Sequence, residues 1–164
     1  MDSNTLYEEK IASKWTTILF AFVTSFFMFM MFYQIFVGPL GDYPAPTWVL
    51  IVLVIIFLFL TFNFRAMTIE LTPEFLSTGF GVVKHRIPWE DIERSWEDES
   101  PVWTYGGWGI RFEKSHGKRR LAYTVPQTPR VALSLKRGRF QEFIFSTRKP
   151  GELIGLINEM TSST

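Results

Sequence analysis

The chain has no cysteine, which removes disulfides, thiolate-held metals and cysteine nucleophiles together. It also lacks an excess of either charge: 17 Lys and Arg stand against 16 Asp and Glu, a formal net charge of +1. Proteins that grip nucleic acid by its phosphates carry a strong basic surplus, so nucleic acid is not an expected partner. Histidine is scarce. His85 and His116 lie far apart, and neither belongs to an HExxH pair. There is no GxSxG and no GxxxxGK[ST], and GFGVVK at 79–84 lacks the final glycine of a dinucleotide fingerprint. No catalytic residue, cofactor or metal set is therefore nominated.

The most informative absence is charge along two stretches. Residues 15–37 contain none, and Gln34 is their only strongly polar side chain. At about 1.5 Å per residue this run reaches about 35 Å as a helix, enough to cross a hydrocarbon core roughly 30 Å thick. A second run, Trp48 to Phe64, is interrupted only by Thr61 and Asn63 and reaches about 26 Å, a span with little slack. Between the runs, GPLGDYPAP at 38–46 breaks any helix with its prolines and glycines. The reading is a transmembrane hairpin: a segment 1–14, a first span 15–37, a loop 38–46, a second span 47–65 and a domain 66–164. A cleavable signal peptide is the competing reading of the first run, but signal cores are only about 7–15 residues long and no second span follows them at once. Lys10, Lys14 and Arg65 flank the spans while the loop carries Asp42 and no cation, so the positive-inside bias puts both termini in the cytoplasm of a multi-pass plasma-membrane protein. Gln34 reads either as a functional intramembrane group or as a headgroup-region hydrogen bonder. The FFMFMMF cluster at 26–32 reads as lipid-facing or packed on the second helix. Thr5 with Glu8 forms a capping-box pattern and predicts a short helix before the first span.

Beyond Arg65 the pattern changes to short alternating or β-branched runs separated by turn signals, the mark of an antiparallel meander. Strands are predicted at 67–71, 75–86, 92–97, 108–113, 119–125, 130–136 and 139–146, seven in all. In the fourth, alternation places Trp108, Ile110 and Phe112 on one face, taken as the core face. A final helix is predicted from Pro150, which suits a first turn, to about Thr161, with Leu153, Leu156, Ile157 and Met160 in one apolar stripe. This order of elements is α+β, a bent seven-stranded antiparallel barrel or sandwich capped by a helix, in the manner of a pleckstrin-homology (PH) domain.

The residues IPWEDI at 87–92, YGGWGIR at 105–111, Tyr123, RVALSLKRGR from Arg130 and FSTRKPGELI at 145–154 resemble small prokaryotic membrane proteins that carry a bacterial PH-like domain after two transmembrane helices. The resemblance implies that fold and topology, and it assigns no activity. EKSHGKRRL and RGRFQEF are longer or more basic than its pattern.

Within the domain, charge is uneven. Lys84, Arg86 and Arg94 are the only cations in 66–110, whereas 111–149 carries eleven against Glu113 and Glu142. Lys118, Arg119, Arg120, Lys136, Arg137 and Arg139 are candidate contacts for anionic lipid, worth about 1 kcal/mol each near a surface, or for a protein partner; an ordinary solvated face is the other reading. Lys84 and Arg86 have a phosphoinositide-site spacing, but the preceding strand and turn offer Glu70 and Glu74 instead of a basic partner, so specific phosphoinositide binding is not expected. Trp96, Trp103 and Tyr105 mark a candidate partner loop beside Glu97, Asp98 and Glu99, whose spacing is not that of a calcium loop. Trp89, Gly106, Gly107, Trp108, Gly109, Arg111 and Pro150 read as structural, Trp89 and Trp108 as core fillers. The expected function is a non-catalytic, membrane-anchored PH-like module binding a protein partner or the anionic membrane surface. Two alternatives stand: an accessory or assembly subunit of a larger membrane complex, with a homo-oligomer open, and an unrecognised membrane enzyme.

Overall fold

The structure, a computed structural model, describes residues 5–39, 41–101, 107–115 and 118–162. The chain divides into two units: Ser13–Arg65, and the residues up to Ala12 together with those from Ala66 on.

The first unit follows from its two apolar runs. The longer becomes α1, Lys14–Phe36, a helix long and apolar enough to cross a membrane. The shorter becomes α2, Thr47–Asn63, a 17-residue helix started by Pro46 in an extended conformation. Hydroxyls inside the runs are satisfied locally, Thr24 donating to Phe20 O at 2.7 Å and Thr61 to Phe57 O at 2.7 Å. The two helices pack through Phe20 and Phe27 against Phe57, with ring centroids 6.3 and 5.5 Å apart, and through the Thr24 and Thr61 hydroxyls 3.3 Å apart. Gln34 Nε2 donates to Ala45 O at 2.8 Å and to Thr47 Oγ1 at 2.9 Å, so it ties the end of α1 to the start of α2. Of the aromatic cluster, Phe27 faces α2 while Phe26, Phe29 and Phe32 are exposed.

In the second unit, the capping-box expectation gives way to a strand. Tyr7–Ala12 is β1 and pairs antiparallel with β2, Ala66–Leu71, over six residues from either side of the helical pair. The pairing outcompetes a short helix, which is marginal alone. The run read as one strand at 75–86 turns back at Gly81–Val82 to give β3, Phe75–Phe80, and β4, Val83–Pro88. Four strands thus form a sheet in the order β1-β2-β3-β4. Its inner face carries Ile11, Met67, Ile69, Leu71, Leu76, Phe80 and Ile87, all buried. Gly79 is required at the bend: a Cβ there would lie 2.1 Å from Val83 O and 2.6 Å from Lys84 Cα.

A 3-10 turn, Trp89–Asp91, leads into β5, Ile92–Asp98; then come β6, Gly109–Ser115, β7, Lys118–Thr124, β8, Arg130–Leu135, and β9, Glu142–Ser146. Their order is β5-β8-β9-β7-β6, and β7 runs parallel to β9. The described residues therefore hold nine strands instead of seven, and the second sheet is no simple meander. The β8–β9 hairpin inserts between β5 and β7, burying Val131, Leu133, Phe143 and Phe145 at the centre. Contacts such as Phe80 with Tyr123, 6.2 Å between centroids, and His85 with Phe143, 5.2 Å, join the sheets face to face. The last helix, α3, Pro150–Ser162, buries Leu153 and Ile157 and lies against β5, where Ser95 Oγ donates to Asn158 Oδ1 at 2.9 Å. Glu9 of β1 points inward and accepts from Thr147 Oγ1 at 2.6 Å and Arg148 N at 2.9 Å, fastening the first strand to the segment before α3.

Candidate functional site: a basic loop beside a cleft

The β8–β9 connection is held at both ends by its backbone. Leu135 N donates to Gln141 O at 2.9 Å and closes the loop; Lys136 N donates to Asp91 O at 2.8 Å. Gln141 N donates to Arg119 O at 2.9 Å, and Arg119 N returns a bond to Gln141 Oε1 at 2.7 Å. Gly138, at φ +108°, takes the left-handed position that the reversal needs. The loop thereby presents Lys136, Arg137 and Arg139, all exposed. Against β4 it borders a cleft of about 200 Å³, lined among others by His85, Ile87, Asp91, Arg137, Arg139 and Phe140. Arg139 lies 5.8 Å over the Phe140 ring, and Phe140 also meets Phe112 at 5.7 Å and His85 at 6.4 Å. Burial pushes the His85 imidazole below its usual pKa and favours the neutral ring.

The six candidate cations separate into two groups. Glu142 is buried, accepts from Lys118 Nζ at 2.9 Å and lies 2.6 Å from Arg120 Nε. Burial pushes the Glu142 carboxyl up, but the Lys118 hydrogen bond and the Arg120 and Lys118 charges outweigh it and hold the group below its ordinary value. Lys118 and Arg120 are thus both engaged by Glu142, Arg120 largely covered and Lys118 at the surface. Arg119, Lys136, Arg137 and Arg139 make no ion pair among the described residues, and all four lie on the β8–β9 loop or beside its end. Such a cluster attracts acidic groups by simple Coulomb attraction.

Lys84 and Arg86 lie on the opposite face of β4 from His85, since side chains alternate along a strand. Lys84 reaches Glu70 at 3.7 Å, and the Arg86 guanidinium lies 5.1 Å over the Phe75 ring. Trp96 is half-buried on Ala122, Ala132 and Ile144, with Arg94 5.1 Å over its ring, so it packs the outer face of the second sheet. Trp103, Tyr105 and Gly106 lie outside the described residues. Trp89 is buried and its Nε1 donates to Thr72 O at 3.0 Å. Trp108 does not fill the core as expected; it lies just before β6 and is 39% exposed, and Phe112 within β6 is 70% exposed. The reason is that β6 is the edge strand, so its inward face overhangs the rim of the sheet pair. Gly107 and Gly109 take φ +103° and +93° ahead of and at the start of β6, and Arg111 Nε donates to Trp108 O at 3.2 Å. Pro150 opens α3.

Of the acidic run, Asp98 is buried and pairs with Arg130 Nε at 2.8 Å, while Glu97 and Glu99 are exposed. Among the described residues no three His, Asp or Glu side chains converge as a metal would need. The cleft residues His85 and Phe140 escaped the sequence reading, because only the packing of β4 against a loop about fifty residues later unites them. Compared with known protein families, curated proteins and solved structures, the chain matches none.

Proposed function

We propose that the chain is a membrane-anchored, non-catalytic interaction module whose basic β8–β9 loop engages an acidic protein partner or the anionic membrane surface. The observation that carries this reading is the set of four cations, Arg119, Lys136, Arg137 and Arg139, left without ion pairs among the described residues on a domain joined to an apolar helical pair. Two crossings are supported by the fold itself. Strand β1 precedes α1 and β2 follows α2, yet they share a six-residue register, so a chain that crosses along α1 would come back along α2. One crossing would strand the partners on opposite faces. A 17-residue α2 of about 26 Å spans with little slack, and the positive flanks Lys14 and Arg65 favour a cytoplasmic domain. Two facing sheets with α3 against one of them support a PH-like reading; the added β1 and the parallel β7–β9 contact depart from its simplest form.

The test is the full-length chain in nanodiscs, followed by amide chemical shifts. Shifts confined to Arg119 and 136–141 are expected when phosphatidylserine replaces phosphatidylcholine, or when an acidic polyglutamate peptide is added to phosphatidylcholine nanodiscs; the first identifies lipid and the second an acidic protein surface. No change at these residues in either arm would overturn the proposal.

A further inference from the structure

The β3–β4 turn lies at a particular end of its sheet. Met67 pairs with Phe80 and Phe80 with Val83, so Gly81–Val82 is level with the next pair along, Ala12 and Ala66. At that pair the chain leaves the sheet and returns to it: α1 begins at Lys14, and α2 ends at Asn63. Gly81, at φ +49°, occupies the first position of a two-residue turn, where glycine is favoured. The second position of such turns usually carries a polar residue. Here it is Val82, 76% exposed, followed by Val83, 42% exposed. Single exposed valines are ordinary on a soluble surface. These two stand at the end of the sheet where the chain leaves and returns, with exposed Lys84, 3.7 Å from Glu70, next in the chain. An apolar tip followed by a cation matches the order of environments across a bilayer surface, acyl chains beneath anionic headgroups.

We propose that the Gly81–Val83 turn is a membrane-insertion tip that dips into the bilayer interface and gives the domain a contact with lipid beside its two covalent tethers. The proposal rests on the membrane-anchored reading above. Burying the two valines adds a modest apolar term, enough to bias how the domain stands on the surface.

The chain has no cysteine, so single substitutions carry a nitroxide at one known place. Val82→Cys, Glu74→Cys in the β2–β3 turn at the opposite end of the sheet, and Phe59→Cys on the exposed side of α2 are labelled in the full chain and reconstituted in nanodiscs. Accessibility to oxygen is compared with accessibility to a water-soluble nickel chelate. The expected result is an oxygen-to-nickel ratio several-fold higher at 82 than at 74, with 59 higher still. A ratio at 82 no higher than at 74, with 59 in lipid, would overturn the insertion tip and leave the anchor standing. A water-exposed label at 59 would overturn both.

Discussion

Glu142 shows how one side chain decides which cations are available. Its carboxylate is buried between Lys118 and Arg120, and these hold it ionised to lower pH than in the unfolded chain. The sign follows: the contribution is fully present above the ordinary carboxylate pKa and is lost as pH falls through the depressed folded value. Glu142→Gln is expected to lower stability by about 1–2 kcal/mol at neutral pH, a figure held down because Lys118 is more than half exposed. That difference from the native chain should shrink toward zero as the solution is acidified below the carboxylate range, as thermal unfolding at stepped pH would show. Gly79 is a second residue-scale test. Its Cβ would strike backbone atoms of β4, not a flexible side-chain end, so Gly79→Ala is expected to cost roughly 1–3 kcal/mol or more. Gly151→Ala, with nothing within 4 Å, should leave the unfolding midpoint nearly unchanged. None of the Glu142 chemistry was visible in the sequence: Lys118 and Arg120 stand more than twenty residues from Glu142, and only the parallel β7–β9 contact joins them. Charge counting assigned all six cations one role for that reason.

At the scale of elements, alternation and turn residues located β2 and β5 to β9 within a few residues, and Pro150 with its apolar stripe located α3. Three features escaped for identifiable reasons. Along β1 the inward positions are Tyr7, Glu9 and Ile11, and the carboxylate of Glu9 hides the alternation because its partners, Thr147 and Arg148, lie far along the chain. The β3–β4 turn carries Val82 where a polar residue would have announced it. Alternation along β6 separates two faces, but nothing local says that the strand is an edge, so Trp108 and Phe112 were placed too deep. The role of β1 makes a prediction. Without residues 1–12, β2 keeps β3 but loses β1 and becomes the edge of its sheet, Met67 and Ile69 lose cover, and Thr147 loses Glu9. Residues 66–164 alone should unfold with poor cooperativity, a loss of several kcal/mol set against a usual total of about 5–15. Joining 5–12 to 66–162 through a short Gly-containing turn should restore a sharp transition by circular dichroism, since Ala12 and Ala66 are already paired.

For the whole molecule, one topological fact governs the rest: the chain departs into two apolar helices from one strand of a sheet and returns to the neighbouring strand. Hydropathy alone found the helices, and charge on their flanks suggested an orientation. The strand pairing adds a constraint that hydropathy lacks, because two hydrogen-bonded strands share one side of any membrane that the proposed spans cross. The most direct measurement uses the cysteine-free background. Glu8→Cys, Asp42→Cys and Lys136→Cys are each expressed as the full chain, and sealed vesicles of both orientations are treated with a membrane-impermeant maleimide. Residues 8 and 136 are expected to react from the same face and residue 42 only from the other. Labelling of 8 and 136 from opposite faces, or of all three from one face, would contradict the account.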